Sequence, residues 1–460
     1  MRIALSIGGL CGLLVIASFA IAPSIYLHDF GEWLYQAAIL AQKVTDPQSV
    51  EQFSLYHYPV PNSLALYVMA AMHVVLPPIL VGKLYLAIHI VAWFWVAAAF
   101  VKRYFSDPRQ AGFAWVLIVC LAAFSSFFWY GFVSYQTGLL LFLWFLTVYD
   151  HHSPAWIIAV FGILLFLSHA AIFLQFGLLI VLGVLVARYP PRQFVGLVPA
   201  AALALAFVAG RFFAEAVTPV AQASWSGWLE AALYKAGMVV MQGPFKNFIL
   251  VDGTALLEHY PWLYWTGVTV NGLVVAALGL ITLGVLLHGQ GSNYTLGHKK
   301  RNTAVFYYFA VLLVVIYLVA PHNFFGLIHP GGRVVLPLLF VTLALLPDSG
   351  QRLPQGLVMI VAVTTLATAG CYYAAATSTR PIASSVVEPE IQSSAELTGS
   401  VFDYNEWLYR NTRYSYFNYR IFVLSDRYRQ LREQDYRGVS FVTGPISQYR
   451  EKPLSEPIRP

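Results

Sequence analysis

The chain has 460 residues, of which 59% are hydrophobic and 10% charged, with a mean hydropathy of +0.66. A soluble domain carries about 25% charged residues, so a water-soluble globule is excluded and an all-α polytopic membrane protein is the expected class. Lys and Arg outnumber Asp and Glu by 27 to 21; this modest excess reads as membrane orientation and not nucleic-acid affinity, and no basic patch interleaved with aromatics stands out in the water-facing loops before the tail.

The first apolar run, residues 3–22, has the basic start and small-residue end of a signal peptide. It is also nearly long enough to cross a bilayer and is read as an uncleaved first helix. The stretch YLHDFGEW, residues 26–33, follows it and carries Asp29 and Glu32. Asp-x-x-Glu is a capping box, in which Asp29 caps a helix and Glu32 reaches back to its first amide. Residues 33–44 then suit a short amphipathic helix at the membrane surface. Residues 61–76 are taken as a second surface helix. With that choice the clusters Lys102-Arg103-Arg109, Arg188-Arg192, His298-Lys299-Lys300-Arg301 and Arg352 all fall on the cytoplasmic side.

Further spans are expected at residues 80–101, 111–129, 133–149, 195–213, 262–287, 303–320, 334–346 and 357–376. The run 156–187 is too long for one ordinary span, and Ser168-His169 near its middle predicts two shorter spans meeting there. The total is about eleven spans, with the N-terminus inside and the C-terminus outside. Residues 1–377 form the transmembrane domain, with a first outer loop at 23–79 and a long outer loop at 214–261. The three cysteines, Cys11, Cys120 and Cys371, sit in apolar runs without ligand or disulfide spacing. The tail, 378–460, is charged and rich in Tyr and Arg, and is expected to form a small α/β cap on the outer face.

Residues with chemical potential collect on that outer face. Asp29, with Glu32 as second choice, is a candidate general base held at the end of a span; its bland alternative is helix capping. In APHNFFGLIHPGGRVVLP, residues 320–337, Arg333 follows two glycines and stands near His322 and His329. A guanidinium there can grip a phosphate with two prongs, or simply snorkel toward lipid headgroups. The His-x6-His spacing is loose for a metal. Lys83, Lys235 and Lys246 are further candidate anion holders or solvated lysines. His57 and His169 are candidate pocket residues or structural histidines. Trp33, Trp129 and Tyr130 can stack on sugar faces or anchor the interface. No Walker loop, Rossmann fingerprint, G-x-S-x-G or H-E-x-x-H is present.

Four stretches together resemble the polytopic glycosyltransferases of the C superfamily (GT-C): HDFGEW after the first span, YPVPNSLALY opening the second surface helix, the aromatic turn FFWYGFVSYQTGLLLF, and HPGGRVVLPLLF late in the chain. The resemblance implies an inner-membrane enzyme of the cell envelope with its active site toward the periplasm. It implies an inverting transfer of sugar from a polyprenyl-phosphate donor to a glycan, lipid or protein acceptor, with Asp29 as base. It further implies that Arg333 holds the phosphate and that the 214–261 loop closes over the donor. A single acid at the first position, in place of an adjacent acidic pair, points to transfer without a divalent metal or other cofactor. A lipid or glycan transporter or flippase is the alternative from another class, and a non-catalytic assembly subunit is a third.

Overall fold

The computed structural model describes residues 2–21, 27, 30–50, 53–214, 228–240, 242–245, 261–289, 298–320, 323–324, 327–328, 331–378 and 446–448. The fold is helical. Among the described residues the strands are two short antiparallel ladders, Phe53–Leu55 with Ile446–Gln448 and Asn323–Phe324 with Leu327–Ile328. Five helical stretches are long and apolar enough to cross a membrane: Leu80–Tyr104, Pro108–Trp129, Arg192–Gly210, Tyr264–His288 and Gly331–Ser349. Shorter apolar helices lie between them, so the chain is a multi-pass membrane protein.

In chain order, α1 is Arg2–Ile21, α2 Phe30–Thr45, α3 Leu64–His73 and α4 Pro78–Tyr104. The second long stretch is compound: α5, Pro108–Ile118, passes through a π-turn at Val119–Ala123 into α6, Ser126–Trp129. Then come α7, Val133–Val148, α8, Ala155–Ser168, and α9, Ala170–Leu185. The expected break falls at His169, whose extended φ of −164° ends one helix and starts the next. After α10, Arg192–Ala214, the long loop contains α11, Trp228–Val240. The last helices are α12, Pro261–Gly289, α13, His298–Val319, α14, Val335–Leu345, and α15, Gln355–Ser378.

The two helices expected at the surface differ in character. With ten residues, α3 rises only about 15 Å, half the hydrocarbon thickness, and exposes Tyr67 and Val68. By contrast α2 is enclosed: Phe30, Trp33, Leu34, Gln36 and all of Ala37–Ala41 are buried. It packs on α3, and only its last turn is open, Val44 being 80% exposed. An interfacial helix with one apolar stripe is therefore too simple a description of α2.

Polar bonds gather the helix ends into two separate layers. On one side, Ser63 N–H donates to Leu167 O at 2.7 Å and Ser134 Oγ to Asn62 O at 3.1 Å. Tyr135 and Gln175 both donate to the carbonyl of Arg333 there. On the other, Arg103 donates to the carbonyls of Thr147 and Tyr149 at 2.5 and 2.7 Å, and stands 3.9 Å from Asp150. Arg109 donates to Gln355 at 2.7 Å, and Gln110 accepts from Leu353 N–H at 2.8 Å. Backbone groups freed at helix ends are thus paired within their own layer, as a low-dielectric surround demands.

Between the layers, helices meet through small residues. A Cβ added at Gly196 on α10 meets the Ala155 carbonyl oxygen at 2.5 Å and Ile158 Cβ at 2.7 Å, and one added at Gly162 on α8 meets Ala200 at 3.0 Å. Gly196 and Ala200 are four residues apart, one small-xxx-small face. Gly196→Ala is therefore expected to lower the melting temperature in detergent, overpacking costing about 1–3 kcal/mol. Gly177→Ala, whose methyl meets nothing within 4 Å, leaves it unchanged.

His73, in the last turn of α3, is pushed down to about 4 by burial, partly offset by the backbone carbonyl of Leu34. Its folded-state value lies below the unfolded value of about 6.5, so the unfolded chain binds the extra proton between the two. Stability contributed by neutral His73 is full above about pH 6.5 and is lost as pH falls toward 4. Melting curves between pH 7 and 4.5 are expected to show this loss, and His73→Gln to flatten that part of it.

Candidate functional site

The site is built where three helix ends converge. Gly131, at φ +76°, lets the chain turn from α6 into α7, and this turn presents Phe127, Phe132 and Tyr135. Opposite, the 3-10 turn Gly331–Val334 packs against α9, α11 and α13 and carries Arg333. The guanidinium carbon lies 4.5 Å from the ring centroid of Phe127, 4.6 Å from that of Tyr135 and 5.1 Å from that of Phe132. Cation–π contacts are worth about 0.5–2 kcal/mol each, most when desolvated. Three rings pack around one guanidinium, a planar group whose N–H donors match the geometry of oxygen acceptors.

The same turn is fixed through its backbone. Tyr135 Oη donates to Arg333 O at 3.0 Å, and Gln175 Nε2 donates to the same oxygen at 3.2 Å. Tyr135 thus grips Arg333 twice, by ring face and by hydroxyl. The two glycines before it are buried. A methyl at Gly331 meets the Tyr317 carbonyl at an ordinary 3.4 Å, so this glycine serves packing against α13 more than flexibility.

His169 stands beside the box, its ring 5.1 Å from that of Tyr135. Its Nδ1 accepts from Ala171 N–H at 3.3 Å and caps α9. Burial pushes the ring well below the usual histidine range, and the Arg333 charge pushes it further. The imidazole is therefore neutral, with its proton on Nε2. Tyr130 is half-buried and stacks on Phe132 at 5.6 Å, extending the aromatic wall.

The other candidates separate. Lys83 donates to Ala20 O at 3.2 Å, and Lys235 donates to Leu318 O, while Tyr317 donates to the carbonyl of Lys235. Each ammonium sits on the C-terminal end of a membrane helix, where free carbonyls and the helix dipole favour a cation. Lys235 nevertheless belongs to this neighbourhood, since α11 packs on the Arg333 turn. His57 is exposed in the bend before α3. Trp129 is buried, donates to Phe124 O at 3.2 Å and packs on Tyr372 at 5.1 Å, so it is core and not an interface anchor. Asp29, Lys246, His322 and His329 lie outside the described residues, as does the side chain of Glu32. The helix α2 starts at Phe30, the register that a cap at Asp29 requires.

Phe127, Phe132, Tyr135 and Gln175 are the residues that reading the sequence alone missed. The density of rings in FFWYGFVSYQ was the available signal, but not the partner they enclose. Tyr135→Phe keeps the ring and removes one hydrogen bond, so a loss of about 1 kcal/mol in detergent melting is expected. Tyr135→Ala, which also opens a cavity beside Arg333, is expected to cost about 3–5 kcal/mol.

No protein-family model, curated protein or solved structure matches the chain, so the chemistry of this corner has to be argued from its own residues.

Proposed function

We propose that this chain is an integral inner-membrane glycosyltransferase of the GT-C type. It crosses the membrane about eleven times, and the layer holding Arg333 faces the periplasm. The reading rests on one observation above all: a guanidinium, the side-chain group whose fork matches a phosphate, packed among three aromatic rings at the end of the spans. The charge rule supports the orientation, because Lys102, Arg103, Arg109, Arg188, Arg192 and Arg352 all belong to the opposite layer.

In this scheme Asp29 removes the proton of the acceptor hydroxyl, and that oxygen attacks the anomeric carbon. The bond from that carbon to the polyprenyl phosphate breaks on the opposite face, giving inversion. The departing phosphate carries the bonding electron pair and meets Arg333, where donors placed for developing charge are most effective. Neutral His169 offers Nε2–H nearby, and Tyr130, Phe132 and Phe127 offer apolar faces for a sugar ring. A transporter of lipid or glycan draws its support from His89, an ionisable side chain buried within α4. Its Nε2, however, accepts from Trp93 at 3.1 Å and its ring stacks on Tyr85, which are the contacts of a packed core histidine.

The test is sugar transfer from a polyprenyl-phosphate donor in membranes. Asp29→Asn is expected to lower turnover by about 10²–10⁴-fold, and Arg333→Lys to raise KM for the donor because an ammonium cannot bind with two prongs. Near-normal turnover in Asp29→Asn would remove the base, and normal donor affinity in Arg333→Lys would remove the phosphate holder.

A further inference from the structure

The long loop between α10 and α12 contains a segment whose surroundings set it apart. Residues 242–245, Gln-Gly-Pro-Phe, follow α11 and form neither helix nor strand. Gln242 and Gly243 N–H donate back to Val239 and Val240 of α11 at 2.9 and 3.0 Å, and Phe245 is held by the membrane helix α12. Phe245 N–H donates to Asn271 Oδ1 at 2.7 Å, and Asn271 Nδ2 donates to Phe245 O at 3.0 Å. The Asn271 amide thereby takes both main-chain groups of one residue, as a neighbouring β-strand would.

The fit is close on either side of this clamp. A Cβ at Gly243 meets Cγ and Oδ1 of Asn271 at 2.4 Å and its Cβ at 2.6 Å, so the segment lies directly on the Asn271 side chain. A Cβ at Gly267 meets the Phe245 ring at 2.4 Å, so the ring sits on bare helix backbone. Asn271 is fully buried, and Gln242, Gly243 and Pro244 are buried as well.

Depth gives these contacts their meaning. Asn271 lies about 15 Å along the α12 axis from Pro261. The 29 residues of α12 extend about 43 Å, against a hydrocarbon core of about 30 Å. Centring the helix leaves Asn271 about 8 Å inside the apolar zone. Irregular backbone at that depth is tolerated only where protein buries it or a polar cavity receives it, because unpaired amides there are costly. Meanwhile Lys235 of α11 is bonded to the end of α13, at the rim. The chain therefore descends between Lys235 and residue 245, whereas α12 begins nearer the rim, at Pro261.

We propose that Gln242–Phe245 is a re-entrant segment, pinned at membrane depth by Asn271, which braces the Arg333 box from behind. The brace runs through Ser126, whose hydroxyl donates to Gln242 Oε1 at 3.3 Å and which precedes Phe127, one wall of the box. Asn271 is in this sense a positioning residue: it touches no phosphate and acts through the segment it holds. The bracing role rests on the glycosyltransferase reading; the re-entrant placement does not.

The experiment uses the full chain in native membranes with a cysteine introduced by Pro244→Cys. A membrane-impermeant maleimide is applied and the modified peptide is quantified by mass spectrometry, so that the native cysteines do not interfere. Position 244 is expected to be protected in the otherwise native chain. Asn271→Leu, which removes both bonds, and Gly243→Ala, which wedges the segment off the helix, are each expected to raise its labelling rate at least tenfold. Gly272→Ala, on the same helix with nothing within 4 Å of the added methyl, leaves it protected. Rapid labelling in the native background overturns the placement, as does unchanged protection in Gly243→Ala, the milder variant if Asn271→Leu fails to assemble.

Kinetics supply the second arm. Asn271→Leu is expected to raise KM for the polyprenyl-phosphate donor severalfold with kcat changed less. An unchanged KM alongside increased labelling overturns the brace. If the wild-type chain transfers no sugar at all, the glycosyltransferase reading fails and the bracing role with it, while the labelling result still decides the re-entrant placement.

Discussion

A positive charge at the edge of an apolar solvent must be neutralised, hydrated or wrapped, and much of this structure follows from how Arg333 is wrapped. Three rings from α6, α7 and the turn between them surround its guanidinium, and two side chains from different helices take its carbonyl. The ring contacts are electrostatic yet present an apolar exterior, so they suit a place where a carboxylate partner would add a second desolvated charge. The arrangement also ties α7, α9 and the turn before α14 into one unit. Removing the arginine would therefore loosen a junction between helices.

The remaining cations obey the same constraint by another route. Lys83, Lys235 and Arg103 each donate to carbonyls at the C-terminal end of an apolar helix. Those carbonyls have no intrahelical partner, and hydrocarbon cannot supply one. A single long side chain thereby satisfies two needs: the ammonium or guanidinium reaches polar atoms, and the helix end is closed. The abundance of basic residues at helix ends in this chain is as much a matter of backbone chemistry as of surface charge.

Hydropathy was enough to read the helical class, the apolar spans and the interruption at Ser168-His169, because each depends on local composition. The hydropathy of residues 61–76 leaves open whether they span or lie on the surface; the placement of the basic clusters favours the surface, and α3 has only ten residues. The enclosure of α2 was not, because its neighbours come from distant parts of the chain and its own pattern of Trp33, Gln36 and Ala37 carries no address. Arg333 could be singled out from its neighbouring glycines, but its box could not: Tyr135 and Arg333 are 198 positions apart, and only packing brings them together. The π-turn at Val119–Ala123 has no proline or glycine to announce it. It is visible only through its result, an Ala122 carbonyl to which Gln136 Nε2 donates at 3.2 Å. The contacts of Lys83 and Lys235 were equally hidden, because residue type alone does not say which helix end a lysine will reach.

The small ladder between Phe53–Leu55 and Ile446–Gln448 bears on how such a protein is made. Its two strands lie far apart in the chain, so the earlier one is synthesised long before its mate exists. Until residues 446–448 have left the ribosome, the segment before α3 keeps an open edge. Closing that edge is therefore a late event in biogenesis, reached only after every described helix has been made.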